Sequence, residues 1–175
     1  EGQSFHLYIM AAGWGLAFSQ KELSFLMAFI FWTFLAVVFL LRIAGRLGAK
    51  IEARQSREGH LLVLMGALFL PFITATLLFA IGYHPGEVGS NSETSVYNFA
   101  GNWPMSFNLV AYGLVFGLFA LGFAAAKFLW DWRKFAVAAV IFWSIFILFQ
   151  TTFLTNPFGL GSGVIGALGY WIEQQ

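Results

Sequence analysis

LSFLMAFIFWTFLAVVFLL, residues 23–41 of the chain, contains no charged side chain. The hydrocarbon core of a bilayer is about 30 Å thick, and a helix needs about 20 apolar residues to cross it. Backbone N–H and C=O groups inside the hydrocarbon must be hydrogen-bonded within the protein. A continuous apolar run meets this need as a helix, whereas the strands of a membrane barrel alternate in polarity. The stretch therefore predicts a transmembrane helix.

Three further runs have the same character, because residues 61–83, 105–126 and 135–155 are also uncharged throughout. Residues 5–19 form a shorter apolar stretch with several small residues, and we expect a shortened or interfacial span there. The sequence thus predicts an all-α, polytopic helical membrane protein with four to five transmembrane helices in a single domain, residues 1–175.

The composition of the whole chain leads to the same class. Of its 175 residues, 59% are hydrophobic and 10% are charged, whereas about 25% are charged in an ordinary soluble domain. A soluble core of this size could not bury 22 Phe and 7 Trp without large exposed patches. The net charge of +1 excludes a nucleic-acid-binding surface. With no Cys, and with three His on separate segments, the sequence predicts neither a metal site nor a cofactor.

The basic residues indicate the topology. Residues 42–57 hold five of the nine Lys and Arg side chains and residues 127–134 hold three, while the loop 84–104 holds none. Cytoplasmic loops of membrane proteins carry an excess of Lys and Arg. We therefore expect a multi-pass protein of the cell (plasma) membrane with loops 42–57 and 127–134 in the cytoplasm. Loop 84–104 and the Gly-rich segment 156–175 are then external.

Two features of the spans predict how they pack. Pro71 should kink its helix and free a carbonyl group, to which Thr74 or Thr76 can donate a hydrogen bond. Small residues recur four apart in three places, which favours close helix crossings. These pairs are Ala11 with Gly15, Gly113 with Gly117, and Ala120 with Ala124.

Residues 161–166 read GSGVIG and satisfy the G-x-G-x-x-G pattern of dinucleotide-binding turns. No strand of a βαβ unit precedes them, so a dinucleotide fold is excluded. We interpret these residues as a flexible external loop whose backbone N–H groups can approach a phosphate or a sugar.

The position of Lys21 requires an explanation, because this cation lies between two apolar runs. One interpretation is a helix-end anchor that extends its ammonium group to the interface, paired with Glu22. The other is a ligand for the phosphate of a lipid-linked substrate, since ammonium is a compact phosphate-binding charge. Position alone favours the anchor.

Two segments resemble known families. Residues 11–22, AAGWGLAFSQKE, resemble the small-residue helix ending in Thr-Lys-Glu of membrane glycosyltransferases with the GT-C fold, the protein O-mannosyltransferase type. Residues 155–175, TNPFGLGSGVIGALGYWIEQQ, are similar to flippase-activity-associated putative glycosyltransferases, in which Thr-Asn-Pro-x-Gly-Leu leads to Gly-x-Leu-x-Tyr-Trp-x-Glu-Gln-Gln. The resemblance runs through most of the chain.

The resemblance implies part of a GT-C-like helical bundle that transfers a sugar from a polyprenyl-phosphate donor at the external face of the membrane. It assigns the donor phosphate to Lys21 and requires no cofactor. An acidic residue in an earlier external loop acts as the base in such enzymes, so the catalytic residue is expected upstream of residue 1 and the chain is expected to be an internal fragment. The candidate residues for lining the cavity are Glu22, Trp103, Asn156 and Glu173.

Two other functions fit the same hydropathy. One is a non-catalytic accessory protein for flipping or transport of lipid-linked sugars, and the other is a structural subunit of a larger membrane complex. No ionisable residue lies deep within the four clear spans, which argues against an ion-coupled transporter. The expected partners are membrane lipid and the lipid-linked sugar.

Overall fold

The computed structural model describes residues 2–20, 23–44, 57–82, 105–156 and 159–173. All the regular structure in these residues is helical, as the sequence predicts. The elements in chain order are α1 (Gly2–Gln20), α2 (Leu23–Ala44), α3 (Arg57–Phe69), a 3₁₀ turn (Leu70–Ile73), α4 (Thr74–Ala80), α5 (Met105–Leu129), α6 (Trp132–Gln150), α7 (Gly159–Gly161), a π turn (Ser162–Gly166) and α8 (Ala167–Glu173).

Four helical segments are long and apolar enough to cross a membrane, which confirms the four clear spans. They are Leu23–Arg42, Arg57–Ala80, Leu109–Leu129 and Trp132–Gln150. The second is continuous through the 3₁₀ turn, and it begins at Arg57 rather than at residue 61. Helix α1 is not among the four, because polar residues such as His6 in its first turns make it less apolar.

Helix α1 packs along α6 more extensively than any other pair of elements. A Cβ atom built at Gly15 would lie 2.9 Å from the carbonyl oxygen of Phe142, and Ala11 is fully buried. This confirms the close crossing predicted from Ala11 and Gly15. The side-chain amide of Gln150 reaches the carbonyl oxygen of Phe18 at 3.5 Å. The C-terminal ends of both helices therefore lie together, so α1 and α6 run parallel.

Pro71 breaks the regular α-helix and gives the 3₁₀ turn, as its missing N–H requires. The carbonyl of Ala67, which would have bonded residue 71, faces α5 instead. A Cβ atom at Gly122 would lie 2.8 Å from this oxygen, so the glycine brings α5 against it. Of the two threonines expected to donate to the freed carbonyl, Thr74 does not do so, because its buried hydroxyl has no partner among the described residues.

The predicted pair of Gly113 and Gly117 in α5 behaves differently from Gly122. A Cβ atom at Gly113 or Gly117 would meet nothing within 4 Å, so the close crossing predicted there is absent from the described part of the chain. The α3–α5 contact uses Gly122 because the proline-freed carbonyl lies opposite it.

Aromatic rings fill the centre of the bundle. Phe18 of α1 lies with its ring centroid 4.7 Å from that of Phe69, and Phe72 stacks on Trp143 at 5.4 Å. Phe142, which lies 5.9 Å from Phe18, is fully buried. Such pairs contribute about 0.5–1.5 kcal/mol each beyond the area they bury. The cluster joins α1, the 3₁₀ turn and α6.

The described residues that flank the two basic connections lie at the same end of the bundle. Arg42 at the end of α2 forms an ion pair with Glu58 at the start of α3. His60 then stacks on Trp130, between α5 and α6, with ring centroids 5.5 Å apart. We call the end of the bundle that contains these four residues the basic end. The prediction that both connections share one side is confirmed for these residues, while their location in the cytoplasm stays a prediction.

Residues 161–166 are not the flexible loop expected from their glycines, and they belong to the helical segment 159–173. This segment forms α7, the π turn and α8, and Val164 and Ile165 are buried. The glycines allow close packing against Gln150 and do not make the segment flexible. A side chain at Gly159 would overlap the carbonyl oxygen of Gln150, and one at Gly163 would lie 2.7 Å from the Gln150 side chain. Helical structure and burial therefore overturn the loop interpretation.

Candidate functional site

An apolar groove of about 600 Å³ lies between α2, the α3 to 3₁₀ region and α8. Helix α2 contributes Phe25, Phe29 and Trp32 to its wall, and α8 contributes Leu168 and Trp171. These α2 residues belong to the first half of the helix, so the groove occupies the half of the bundle away from Arg42 and the basic end. Cavities of this volume are typical of small-molecule and lipid sites.

Two small residues create the space. Ala28 and Gly66 both line the groove, and neither side chain reaches across it. The indole nitrogen of Trp32 lies 3.3 Å from the position of a Cβ at Gly66, and it donates to the carbonyl oxygen of Leu62 at 3.3 Å. This hydrogen bond fixes the Trp32 ring beside the groove. A larger residue at position 66 would displace it.

All the residues that line the groove are hydrophobic or glycine, and none is ionisable. Burying a charge against such walls costs free energy, whereas a hydrocarbon chain gains about 25 cal/mol for each Å² removed from water. The groove is therefore suited to an apolar chain, and any polar group of the ligand has to lie outside it.

The polar side chains near the ends of α1 and α6 already have partners. Ser24 donates to the carbonyl oxygen of Ala17 at 2.6 Å, and Ser19 donates to that of Leu16 at 2.8 Å. Gln150 reaches Phe18, a residue of the groove. The bonds from Ser24 and Gln150 reach the carbonyl groups of Ala17 and Phe18, which are among the last four of α1 and lack partners within the helix. They hold the helix ends next to the groove.

Lys21, Glu22 and Trp103 lie outside the described residues. Asn156 lies in the turn after α6, where its backbone N–H donates to the carbonyl oxygen of Thr151 at 2.8 Å. It is exposed and is not part of the groove lining. Glu173 is the last residue of α8, two positions after Trp171. The predicted cavity residues thus remain candidates by sequence, and the groove adds apolar residues that were not among them.

A turn in left-handed conformation follows α6, and no sequence signal predicted it. Thr152, Phe153 and Leu154 have φ angles of 49°, 54° and 68°, which non-glycine residues adopt at a cost of about 1–3 kcal/mol each. The buried Thr151 hydroxyl donates to the carbonyl oxygen of Ile147 at 2.6 Å and accepts from the N–H of Leu154 at 3.0 Å. These bonds hold the turn, which returns the chain to the bundle and brings Trp171 to the groove.

The basic end has a separate arrangement around Asp131. The carboxylate caps α6 by accepting from the backbone N–H of Arg133 at 3.0 Å and of Lys134 at 3.5 Å. Partial burial raises the pKa of Asp131, but these hydrogen bonds and the Lys134 charge outweigh it, so that the pKa lies below its ordinary value of 3.8. The Lys134 ammonium lies 3.5 Å from the carboxylate.

Within the described residues, no three His, Asp or Glu side chains come close enough to hold a metal ion. Comparisons with family models, with curated proteins and with solved structures find no match to this chain.

Proposed function

We propose that this chain is the lipid-binding helical part of a GT-C-type membrane glycosyltransferase, which transfers a sugar from a polyprenyl-phosphate donor at the external face of the cell membrane. The observation that carries the proposal is the apolar groove, which offers a concave hydrophobic surface to a hydrocarbon chain. The resemblance of residues 11–22 and 155–175 to such transferases supplies the class of reaction.

The position of Lys21 in the sequence supports the assignment of the donor phosphate. Phe18 and Phe25 both line the groove, and Lys21 lies three residues after the first and four before the second. A cation this close in sequence to two residues of an apolar groove suits a ligand with a phosphate at the end of a long hydrocarbon chain. Trp171 joins the wall from the second resembling segment, so both segments bear on one site.

A matched pair of phenylalanines on α2 tests the groove. Phe29 lines it and is 65% exposed, whereas Phe34 is 59% exposed and is not part of the lining. Because neither side chain belongs to the buried core, both Ala variants should fold. Phe29→Ala should weaken binding of a polyprenyl-phosphate sugar by roughly tenfold, since it removes apolar contact area from the ligand. Phe34→Ala should bind like the wild type.

The measurement is equilibrium binding of the labelled donor to the full-length protein in nanodiscs, followed by sugar transfer to acceptor. Equal affinity of the two variants would contradict the lipid-chain role of the groove. Selective loss in Phe29→Ala with no transfer by the wild type would support the accessory function over the transferase.

A further inference from the structure

The tip of the α5–α6 hairpin combines exposed aromatic and cationic side chains. The two helices are separated by Trp130 and Asp131 alone. Beside this turn, Phe128 is 76% exposed and Trp132 is 52% exposed. Lys127 and Arg133 are exposed as well. A helical hairpin with so short a connection carries all four side chains to one end of the bundle.

Only some of the cations at this tip have a carboxylate partner. Lys134 is paired with Asp131, and at the same end of the bundle Arg42 is paired with Glu58. Lys127 and Arg133 have no carboxylate partner in the part of the chain that the structure describes. The Arg133 guanidinium lies 5.9 Å from the centroid of the Trp132 ring, so a cation and an aromatic face point to the same surface. The tip thus presents two cations next to two exposed rings.

We propose that this tip binds the headgroup of an anionic phospholipid. Lys127 and Arg133 bind the phosphate, and Phe128 and Trp132 contact the glycerol and the first part of the acyl chains. Aromatic rings at the ends of membrane helices lie at the level of the headgroups, where a nearby cation gains free energy from anionic lipid. The site is independent of the apolar groove, which lies in the other half of the bundle.

The arrangement favours an amphiphilic ligand over a free anion. Helix N-termini bind phosphate through their first backbone N–H groups, but those of Arg133 and Lys134 already donate to Asp131. The remaining binding surface consists of side-chain cations and exposed rings, and the rings contribute only when the ligand has an apolar part.

The test measures retention of phosphatidylglycerol by the full chain in nanodiscs that contain equal amounts of phosphatidylglycerol and phosphatidylcholine. Lys127→Gln with Arg133→Gln should lower the enrichment of phosphatidylglycerol by roughly 10- to 30-fold, as expected for two surface cations. The control is Asp131→Asn with Lys134→Gln, which leaves the net charge unchanged and retains a capping side chain. The control should bind phosphatidylglycerol like the wild type.

Two further measurements make the outcome decisive. Lys127→Arg with Arg133→Lys keeps both charges and should retain the lipid, which separates loss of charge from loss of folding. Inorganic phosphate should not displace phosphatidylglycerol. The proposal is overturned if the Gln pair retains as much phosphatidylglycerol as the control, or if inorganic phosphate displaces the lipid and so identifies a site for the free anion.

Discussion

At the scale of single residues, the groove depends on two positions whose residues have a small side chain or none. Ala28 and Gly66 belong to different helices and are 38 positions apart in the sequence. Their shared cavity depends on how α2 and α3 pack, and no pattern within either run predicts it. Trp32 illustrates the same point, because its indole donates across helices to Leu62. The residue types alone therefore predict the apolar spans, but they do not predict where α2 and α3 leave a groove between them.

Lys21 carries the prediction that separates a phosphate ligand from an anchor. An anchor needs only a positive charge near the interface, so Lys21→Arg would then be neutral. A phosphate site built for a compact ammonium should lose affinity for the donor in Lys21→Arg, because a planar guanidinium fits it poorly. Lys21→Gln should lose more, roughly 10- to 100-fold, since the charge-assisted hydrogen bond is removed.

The measurement is donor binding by the full-length protein, with thermal stability recorded in parallel. Equal donor affinity for the wild type and both variants would leave Lys21 as an anchor, even if the groove itself binds lipid.

At the scale of elements, the spans were predictable and the C-terminal segment was not. The four clear spans are visible in the sequence because charged residues are excluded from them, and their helices follow from the need to satisfy the backbone in lipid. Residues 161–166 contain three glycines, and their sequence alone is interpreted as a flexible loop. In the structure Gly159 and Gly163 allow the backbone to lie close to Gln150. Glycine permits such close approach as well as flexible turns.

The contact between α1 and α6 gives a prediction at this scale. A methyl group at Gly15 would lie 2.9 Å from the Phe142 carbonyl oxygen and 3.2 Å from the Ile145 Cβ, both in α6. Gly15→Ala should therefore force the helices apart and lower the free energy of unfolding by about 1–3 kcal/mol. Gly117→Ala should be neutral or slightly stabilising, because a Cβ there meets nothing within 4 Å and alanine favours the helix.

Both variants can be compared by denaturant unfolding of the full chain in the same detergent. A loss of stability that is equal in the two would indicate that the cost comes from the substitution of a helical glycine and not from the α1–α6 crossing.

At the scale of the whole molecule, the basic end makes the topology testable. The ion pair of Arg42 with Glu58 and the stacking of His60 on Trp130 place the described residues that flank both basic connections at one end. The positive-inside tendency then predicts which end faces the cytoplasm. The chain has no Cys, so a single introduced thiol can be labelled without background.

We expect an impermeant thiol reagent added to intact cells to label Ser90→Cys and to leave Ser56→Cys unmodified. Permeabilised cells provide the control, in which both variants should react. Labelling of Ser56→Cys from outside would reverse the orientation while leaving the described fold unchanged.

The parallel pairing of α1 with α6 also has a consequence for biosynthesis. The hydrogen bond between Gln150 and Phe18 joins residues 132 positions apart. At a translation rate of about 5–20 residues per second, α1 leaves the ribosome roughly 7 to 26 seconds before its partner helix is complete. During that interval its small-residue face, Ala11 and Gly15, has no native helix to pack on. The most extensive helix contact of the described bundle can therefore form only after residues 132–150 have been made.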